Sequence, residues 1–418
     1  MDPTPTAADQ DLIDWLDAHE AAQLDLLRRL VDTNSATLNF AGVRRCADMV
    51  AAELAGMGFA TRWIDQTAAC NRAGHLVADR PGPARPRLLL MGHLDTVHPA
   101  DGPFQRLERA GDRLVGPGVE DMKNGDVVLI QALKALHATG RLGDADIRVV
   151  FTGDAEMPGE PKDVSRAALV EAALDRDVAL SFEPGEPGVA VVARRGVTEW
   201  QVTAEGLGGH AGLLTQPGVG YGAVYEIARI LEGFRAIMAR ADRLTINPNP
   251  VAGGSLATLD TESGAATASG RMNVVTSRAT ARGDLRCLSA AQFAWAKAEM
   301  RAVVDAHLPG TNATIRFLDA MPAMAATPGN EALRRRYDAI SRSLGGGPVA
   351  ANDPVFRGGG DIAFIADRVP ACLDGLGGWG GDAHADTEWL DLATFRLATR
   401  RAALMIGGLI GEGSGNVV

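Results

Sequence analysis

Cysteine is scarce in this chain, with four in 418 residues, at 46, 70, 287 and 372, and no C-x-x-C pair. That spacing excludes a disulfide scaffold and a thiolate metal cluster, and the thiols read as those of a reducing compartment. Long apolar runs are absent too. None approaches the roughly 18 residues that a membrane-spanning helix needs. The opening Met1-Asp2-Pro3-Thr4-Pro5 has neither the basic nor the apolar region of a signal peptide. Basic residues are outnumbered, 41 Lys and Arg against 52 Asp and Glu, and the net charge of −11 disfavours nucleic acid as a partner. No internal repeat or low-complexity tract is present. These absences leave the expectation of a soluble, cytoplasmic protein without membrane partners. It is longer than one ordinary domain and has 46% hydrophobic residues to build a core.

What the sequence does contain is five side chains with metal-binding chemistry, each in a short, distinctive segment. Leu88-Leu89-Leu90-Met91-Gly92-His93 reads as a buried parallel strand, because its apolar run is short and bounded by Pro-rich sequence and by Gly92. His93 and Asp95 then stand at the carboxyl end of that strand, where open α/β sheets bind ligands. Their two-residue spacing puts both on one side of an extended backbone. A metal-binding imidazole usually passes its other N–H to a carboxylate, a role that suits Asp95. The Gly/Pro-rich loop 116–119 leads through Asp121 into a helix beginning near Asn124. The β-branched run 147–152 ends in the acidic turn Asp154-Ala155-Glu156, the run 178–182 ends at Glu183, and the Gly-rich loop 377–384 ends on His384. Taken singly, His93 reads as a turn histidine, Asp121 as a helix cap and the other carboxylates as solvated turn residues. Repetition changes that reading. Strand-end groups converging on one edge of one sheet would offer only imidazole and carboxylate, a set suited to Zn²⁺, Co²⁺ or Mn²⁺.

Seven segments carry a resemblance: GHLDTVHP, GPGVEDMKNG, TGDAEMPG, SFEPG, GLGGHAG, NVVTSRATARGDLR and GGDAHADTEW, in that order between Gly92 and Trp389. Together they resemble the M20 metallopeptidases, and among them the glutamate carboxypeptidase and aminoacylase-like members. The resemblance implies an α/β fold in which a di-zinc catalytic domain is interrupted by a smaller α+β lid or dimerisation domain. It implies that Asp121 bridges two metals, that Glu156 and His384 complete one site, and that His93 and Glu183 complete the other. It also implies a cis Asp121–Met122 peptide and a homodimer. His210, which alone reads as an exposed turn histidine, would reach the active site of a partner subunit and stabilise an oxyanion there. Asn273 and Arg286 would contact substrate, with Arg286 suited to bidentate capture of a carboxylate.

The chain departs from this pattern at Ala155. The family reads Asp-Glu-Glu in this turn, the first Glu being the general base, whereas this chain reads Asp154-Ala155-Glu156. A methyl group cannot take a proton, and loss of a general base removes about 10²–10⁴-fold of rate. With every ligand position intact, a lone Glu-to-Ala change has the pattern of an introduced knock-out rather than of long divergence. A milder departure lies in Gly358-Gly359-Gly360-Asp361, where the family often has Ser or Thr at Gly360. Gly359 and Gly360 are expected beside the substrate, with one hydroxyl contact missing.

Periodicity sets the organisation. Helical apolar spacing covers 9–32 and 43–57, and strand–helix alternation then runs to Phe182. Around 193–196 the texture changes. A half-buried strand at 198–204 is followed by a helix at 221–240 with Val224, Ile227, Ile230, Leu231 and Phe234 on one face. Alternating strands follow at 254–260, 270–275 and 279–286, then a helix at 290–307. The expected division is a catalytic part, 1–194 and 317–418, interrupted by the insert 195–316, because His384 belongs with the earlier ligands. The expected activity is metal-dependent hydrolysis of an amide in an N-acyl amino acid or short peptide with a free carboxylate, impaired here by Ala155. Two alternatives remain: a di-metal aminopeptidase or a deacylase of non-peptide amides, and a non-catalytic metal-binding protein that sequesters an acyl amino acid.

Overall fold

The computed structural model describes residues 5–260 and 263–411. Contacts divide the chain into two compact units, one comprising Met1–Val192, Ala326–Asp353 and Gly360–Val418, the other Ala193–Ala325 and Pro354–Gly359. The chain thus leaves the first unit and returns to it, as a discontinuous α/β domain requires.

The first unit is built on a six-stranded sheet in the order Ala60–Asp65, Gly74–Arg80, Ile147–Thr152, Leu88–His93, Val178–Ser181, Ala371–Leu373. The first two strands run antiparallel to their neighbours, and the other four are mutually parallel. Every residue of the central strand Leu88–His93 is buried, which explains its unbroken apolar run: parallel strands are covered on both faces. Helix Asn124–Ala138 is buried along most of its length and packs on the long helix Leu392–Gly411. The helical spacing over 9–32 is realised as two helices, Ala7–Ala18 and Glu20–Val31. His19 separates them, its ring stacked on Trp15 at 4.0 Å and its Nδ1 2.7 Å from the Trp15 carbonyl oxygen.

The second unit is α+β. Its four-stranded antiparallel sheet has the order Thr245–Gly254, Arg278–Cys287, Gly196–Gly206, Thr311–Met321. Burial alternates along Gly196–Gly206, so Trp200, Val202 and Ala204 join Ile230 and Phe234 of helix Ala223–Met238 in a core of their own. Trp200 meets Phe234 edge to face at 5.2 Å.

Several strands differ from expectation. The strand read at 254–260 is Leu256–Leu259, and the one read at 270–275 is realised only as Val274–Val275, after a separate strand Ala266–Ser269. The strand Thr245–Gly254 was not read; it carries Pro248 and Pro250, with a register shift between Pro248 and Val251. Proline cannot donate to a ladder, so this strand sits at the sheet edge, and its prolines mask the alternation that reveals strands. Thr311–Met321 pairs with Gly196–Gly206 up to Met321, so a boundary at 316 cuts through a strand, and the second unit runs on to Ala325. Among the described residues no helix is long and apolar enough to cross a membrane.

Candidate metal centre

The register of the parallel strands decides which side chains meet. His93 pairs with Thr152 and Met91 with Ser181, so His93 and the segments leading to Glu156 and Glu183 leave the sheet at one edge. Asp121 enters from the irregular turn Val119–Lys123, whose Asp121–Met122 peptide is cis. His384 comes from a loop in which it and Asp382 hold left-handed backbone conformations, φ 67° and 57°, unusual for residues other than glycine.

Asp121 faces both histidines. Its Oδ1 lies 3.2 Å from His93 Nε2, and its Oδ2 lies 3.4 Å from His384 Nε2. Glu183 Oε1 is 4.0 Å from His93 Nε2, and Glu156 Oε2 is 3.3 Å from His384 Nε2. Two triads result, His93–Asp121–Glu183 and Asp121–Glu156–His384, each offering three ligand atoms within 4.8 Å of one another. Ligands of one tetrahedral zinc, bonded at about 2.0–2.1 Å, lie about 3.3 Å apart, so these separations fit a metal in each triad. A further sign is Glu156 Oε1, buried without a hydrogen-bond partner, since buried polar atoms rarely stay unsatisfied. Asp121 is therefore not the helix cap that it resembles in isolation; the N-cap of helix Asn124–Ala138 is Lys123.

The ligand set holds protons where a metal would sit. Burial works to depress the pKa of His93, but hydrogen bonds to Asp121 and Asp95 and the charge of Glu183 outweigh it and raise the value well above that of an ordinary histidine. His384 is raised to about 9 by its hydrogen bond to Asp121, against its burial and with help from Glu156. Glu156 is raised to about 8 by burial and by the neighbouring Asp121 charge. Burial would raise Asp121, yet both imidazoles hold its carboxyl below the usual range.

The groups behind the ligands are less legible in the sequence. Asp95 meets His93 as expected, with its carboxylate Oδ1 3.5 Å from His93 Nδ1 and its backbone oxygen 3.1 Å from the same nitrogen. The fully buried carboxylate also accepts the backbone N–H of Ala155 at 2.9 Å and of Glu156 at 3.2 Å, and the Thr37 hydroxyl at 2.7 Å. It therefore holds the acidic turn in place. From the other side, buried Arg166 donates to Asp154 Oδ1 at 2.6 Å and to Asp361 Oδ1 at 2.9 Å, while the Thr152 hydroxyl donates to Asp361 Oδ2 at 2.6 Å. Glu388 is 1% exposed. It accepts the N–H groups of Gly118, Glu120 and Asp121 at 2.9, 2.7 and 2.9 Å and meets His98 Nε2 at 2.7 Å. Its spacing of four residues from His384 was the available signal. Asp126, in the first turn of its helix, is buried with neither carboxylate oxygen hydrogen-bonded. Burial raises its pKa well above the usual value, favouring the neutral acid. Gly92 is constrained by it, because a Cβ there would lie 2.2 Å from Asp126 Oδ1.

The structure makes a specific prediction for Glu388. Glu388→Ala strips an acceptor from three backbone donors and His98, and we expect it to lower the unfolding free energy by about 3–5 kcal/mol, the cost of breaking a buried ionic cluster. Metal affinity falls with it by about 10–100-fold, as for other groups that orient ligands. Denaturant melts and chelator competition measure the two effects; unchanged metal affinity in a destabilised variant would remove Glu388 from the centre.

The remaining expected residues lie in the second unit, except Gly360, where the chain re-enters the first. His210 pairs with Val274 across a short antiparallel ladder, and its Nδ1 accepts the Gly212 N–H at 3.1 Å. Asn273 is adjacent, its carbonyl accepting from Ala211 N–H at 2.9 Å. Arg286 directs its Nε at Asp284 Oδ2, 2.7 Å away. The carbonyls of Gly358 and Gly359 both accept from Arg194 Nη1 at 2.9 Å, and Gly360 is extended, φ −167°.

Comparison with known proteins places the sequence and the fold. Carboxypeptidase G2 of Pseudomonas sp. (strain RS-16) is 28% identical over 396 residues, 93% of this chain and 89% of that protein. A succinyl-diaminopimelate desuccinylase of Gluconacetobacter diazotrophicus is 26% identical over 400 residues, 93% of this chain and 97% of that protein. Aminopeptidase PepT from Bacillus cereus superposes with a TM-score of 0.71 at 17% identity, covering 93% of this chain and 98% of its own, and so shares the fold. The family model for peptidase family M20/M25/M40 matches residues 89–407, and the chain belongs to that family.

Proposed function

We propose that this chain is a two-metal amide hydrolase of the carboxypeptidase/aminoacylase type, acting on N-acyl amino acids or short peptides with a free carboxylate, and that the protein as it stands is slow because of Ala155. The observation that carries the reading is Asp121, which turns one carboxylate oxygen toward each histidine-bearing triad. His93, Asp121 and Glu183 would hold one metal, and Asp121, Glu156 and His384 the other. Zinc, or cobalt or manganese, supplies Lewis acidity toward a carbonyl and toward water when bound. The chain's own contribution is to place these ligands: Asp95 fixes the turn carrying Ala155 and Glu156, and Glu388 fixes the one carrying Asp121. At Ala155 it offers no group to take a proton from water or to return it to the leaving amine. We assign His210 to oxyanion stabilisation and Asn273 and Arg286 to substrate contact, with the Gly359–Gly360 backbone beside them. These assignments rest on the match of their segments to the family.

The test is product analysis. Zinc-loaded Ala155→Glu protein is mixed with a library of N-acyl amino acids and dipeptides, and released amines are identified by mass spectrometry. Release confined to substrates with a free α-carboxylate supports the reading; release from carboxyl-blocked amides only would replace it with a deacylase of non-peptide amides. Ala155 also favours a second reading, a metal-dependent binder of acyl amino acids, which predicts tight binding with no turnover gained on restoring Glu.

We also propose a homodimer formed through the second unit, where Tyr225 of helix Ala223–Met238 is 56% exposed. Light scattering at micromolar concentration is expected to give twice the 43.7 kDa chain mass, and a monomer under those conditions rules the dimer out.

A further inference from the structure

A cleft of about 530 Å³ opens beside Glu156, lined mainly by apolar groups, a size ordinary for small-molecule sites. Three large apolar side chains from three separate segments of the first unit face it: Leu38, Val97 and Met157, 59%, 38% and 49% exposed. One scattered exposed apolar residue needs no explanation, but a shared concave patch does. The cleft is also fixed to the metal-ligand strand. Thr37 N–H donates to the Thr96 carbonyl at 3.1 Å, Thr96 N–H to the Ser35 carbonyl at 2.9 Å, and the Thr37 hydroxyl to Asp95 at 2.7 Å. Leu38 and Val97 therefore ride on the backbone that positions His93, and Met157 directly follows Glu156.

Charge decides which half of a substrate this cleft accepts. No Lys, Arg or His lines it, and its one ionisable group is Glu156. Beyond the metal that Glu156 would hold, a carboxylate carried into the cleft meets no Lys, Arg or His side chain to pair with. Resting on the amide-hydrolase reading above, we propose that the cleft is the subsite for the acyl half of the substrate and that it takes a neutral, apolar acyl group, aliphatic or aromatic, in preference to a dicarboxylic one. Glu156 belongs both to the candidate metal centre and to the cleft wall, so an acyl chain there leads directly from a carbonyl at the centre.

Calorimetry on the zinc-loaded chain with Ala155 in place tests this, using N-acetyl, N-hexanoyl and N-succinyl derivatives of L-methionine and of L-glutamate. Hexanoyl compounds are expected to bind at least about tenfold tighter than acetyl ones, from partial burial of four further methylenes, and succinyl compounds no tighter than acetyl. Leu38→Asp and Met157→Glu, both at exposed positions, are each expected to collapse the hexanoyl-to-acetyl ratio toward unity. A ratio near unity in the unaltered chain, a ratio untouched by both substitutions, or no binding of any of the six compounds overturns the subsite. Failure of the hydrolase reading alone is distinguishable: binding would depend on the acyl chain, yet the Ala155→Glu protein would release no amine.

Discussion

Ala155→Glu is expected to raise kcat on the best N-acyl amino acid by at least about a hundredfold, the low end for a general base, with a much smaller change in KM. The asymmetry follows from what each group does. On the proposed reading, the candidate metal ligands and Arg286, all present in the chain as it stands, supply ground-state affinity. The missing carboxylate acts on a proton that moves only as the transition state forms, so its loss falls on kcat. The position is ready to receive a carboxylate, because the Ala155 N–H is held by Asp95 at 2.9 Å and the next residue is held by the same group. Ala155→Gln is the control: its amide matches the shape but cannot accept a proton at neutral pH, and no rescue is expected. Steady-state kinetics on the three proteins, equally loaded with zinc, decide the matter. If the unaltered chain is as fast as Ala155→Glu, another group serves as base and the role given to this turn is wrong.

The segments of the candidate ligands His93, Glu156 and Glu183 were legible because each follows a strand that announces itself, whereas Asp121 and His384 lie on loops and were singled out by the resemblance. Leu88–His93 is an unbroken apolar run ending on a histidine, and a side chain at the carboxyl end of such a strand has few places to go but the sheet edge. Groups that act through the backbone left no such trace. Glu388 and Asp95 spend their oxygens on N–H groups of Gly118, Glu120, Asp121, Ala155 and Glu156, and a backbone donor has no sequence signature. Arg166 gave no signal in the sequence, yet it is buried between Asp154 and Asp361, more than two hundred residues apart. The strand Thr245–Gly254 was hidden by Pro248 and Pro250, which are tolerated only because that strand is an edge. Local pattern thus revealed what lies at element ends, while long-range ionic and backbone contacts emerged only once the chain was folded.

Metal removal is expected to have the largest effect of all. Zinc added to metal-free protein at pH 7 should bind at about two ions per chain and release about two to three protons, because ligands must be deprotonated to bind. The sign follows from the protonation of the ligands. His93 is raised well above an ordinary histidine, His384 to about 9 and Glu156 to about 8, so all three carry protons at pH 7 when no metal is present. Apparent affinity therefore rises with pH through the range in which Glu156 and then His384 lose their protons, flattens above it, and falls steadily as the solution is acidified. Calorimetry in buffers of different ionisation enthalpy counts the protons, and elemental analysis counts the metal. His93→Ala and His384→Ala are each expected to lose mainly one ion, since they serve different triads. Asp121→Asn is expected to weaken both, since each triad takes one oxygen of that carboxylate. In the Ala155→Glu background each of the three changes should cut turnover by about a thousandfold or more, the rate equivalent of about 4 kcal/mol of lost charge stabilisation. Less than about one metal per chain in carefully loaded protein, or zinc binding without proton release at pH 7, would contradict the two-site assignment. Loss of both ions from His384→Ala alone would mean instead that the two triads bind as one cooperative unit through Asp121.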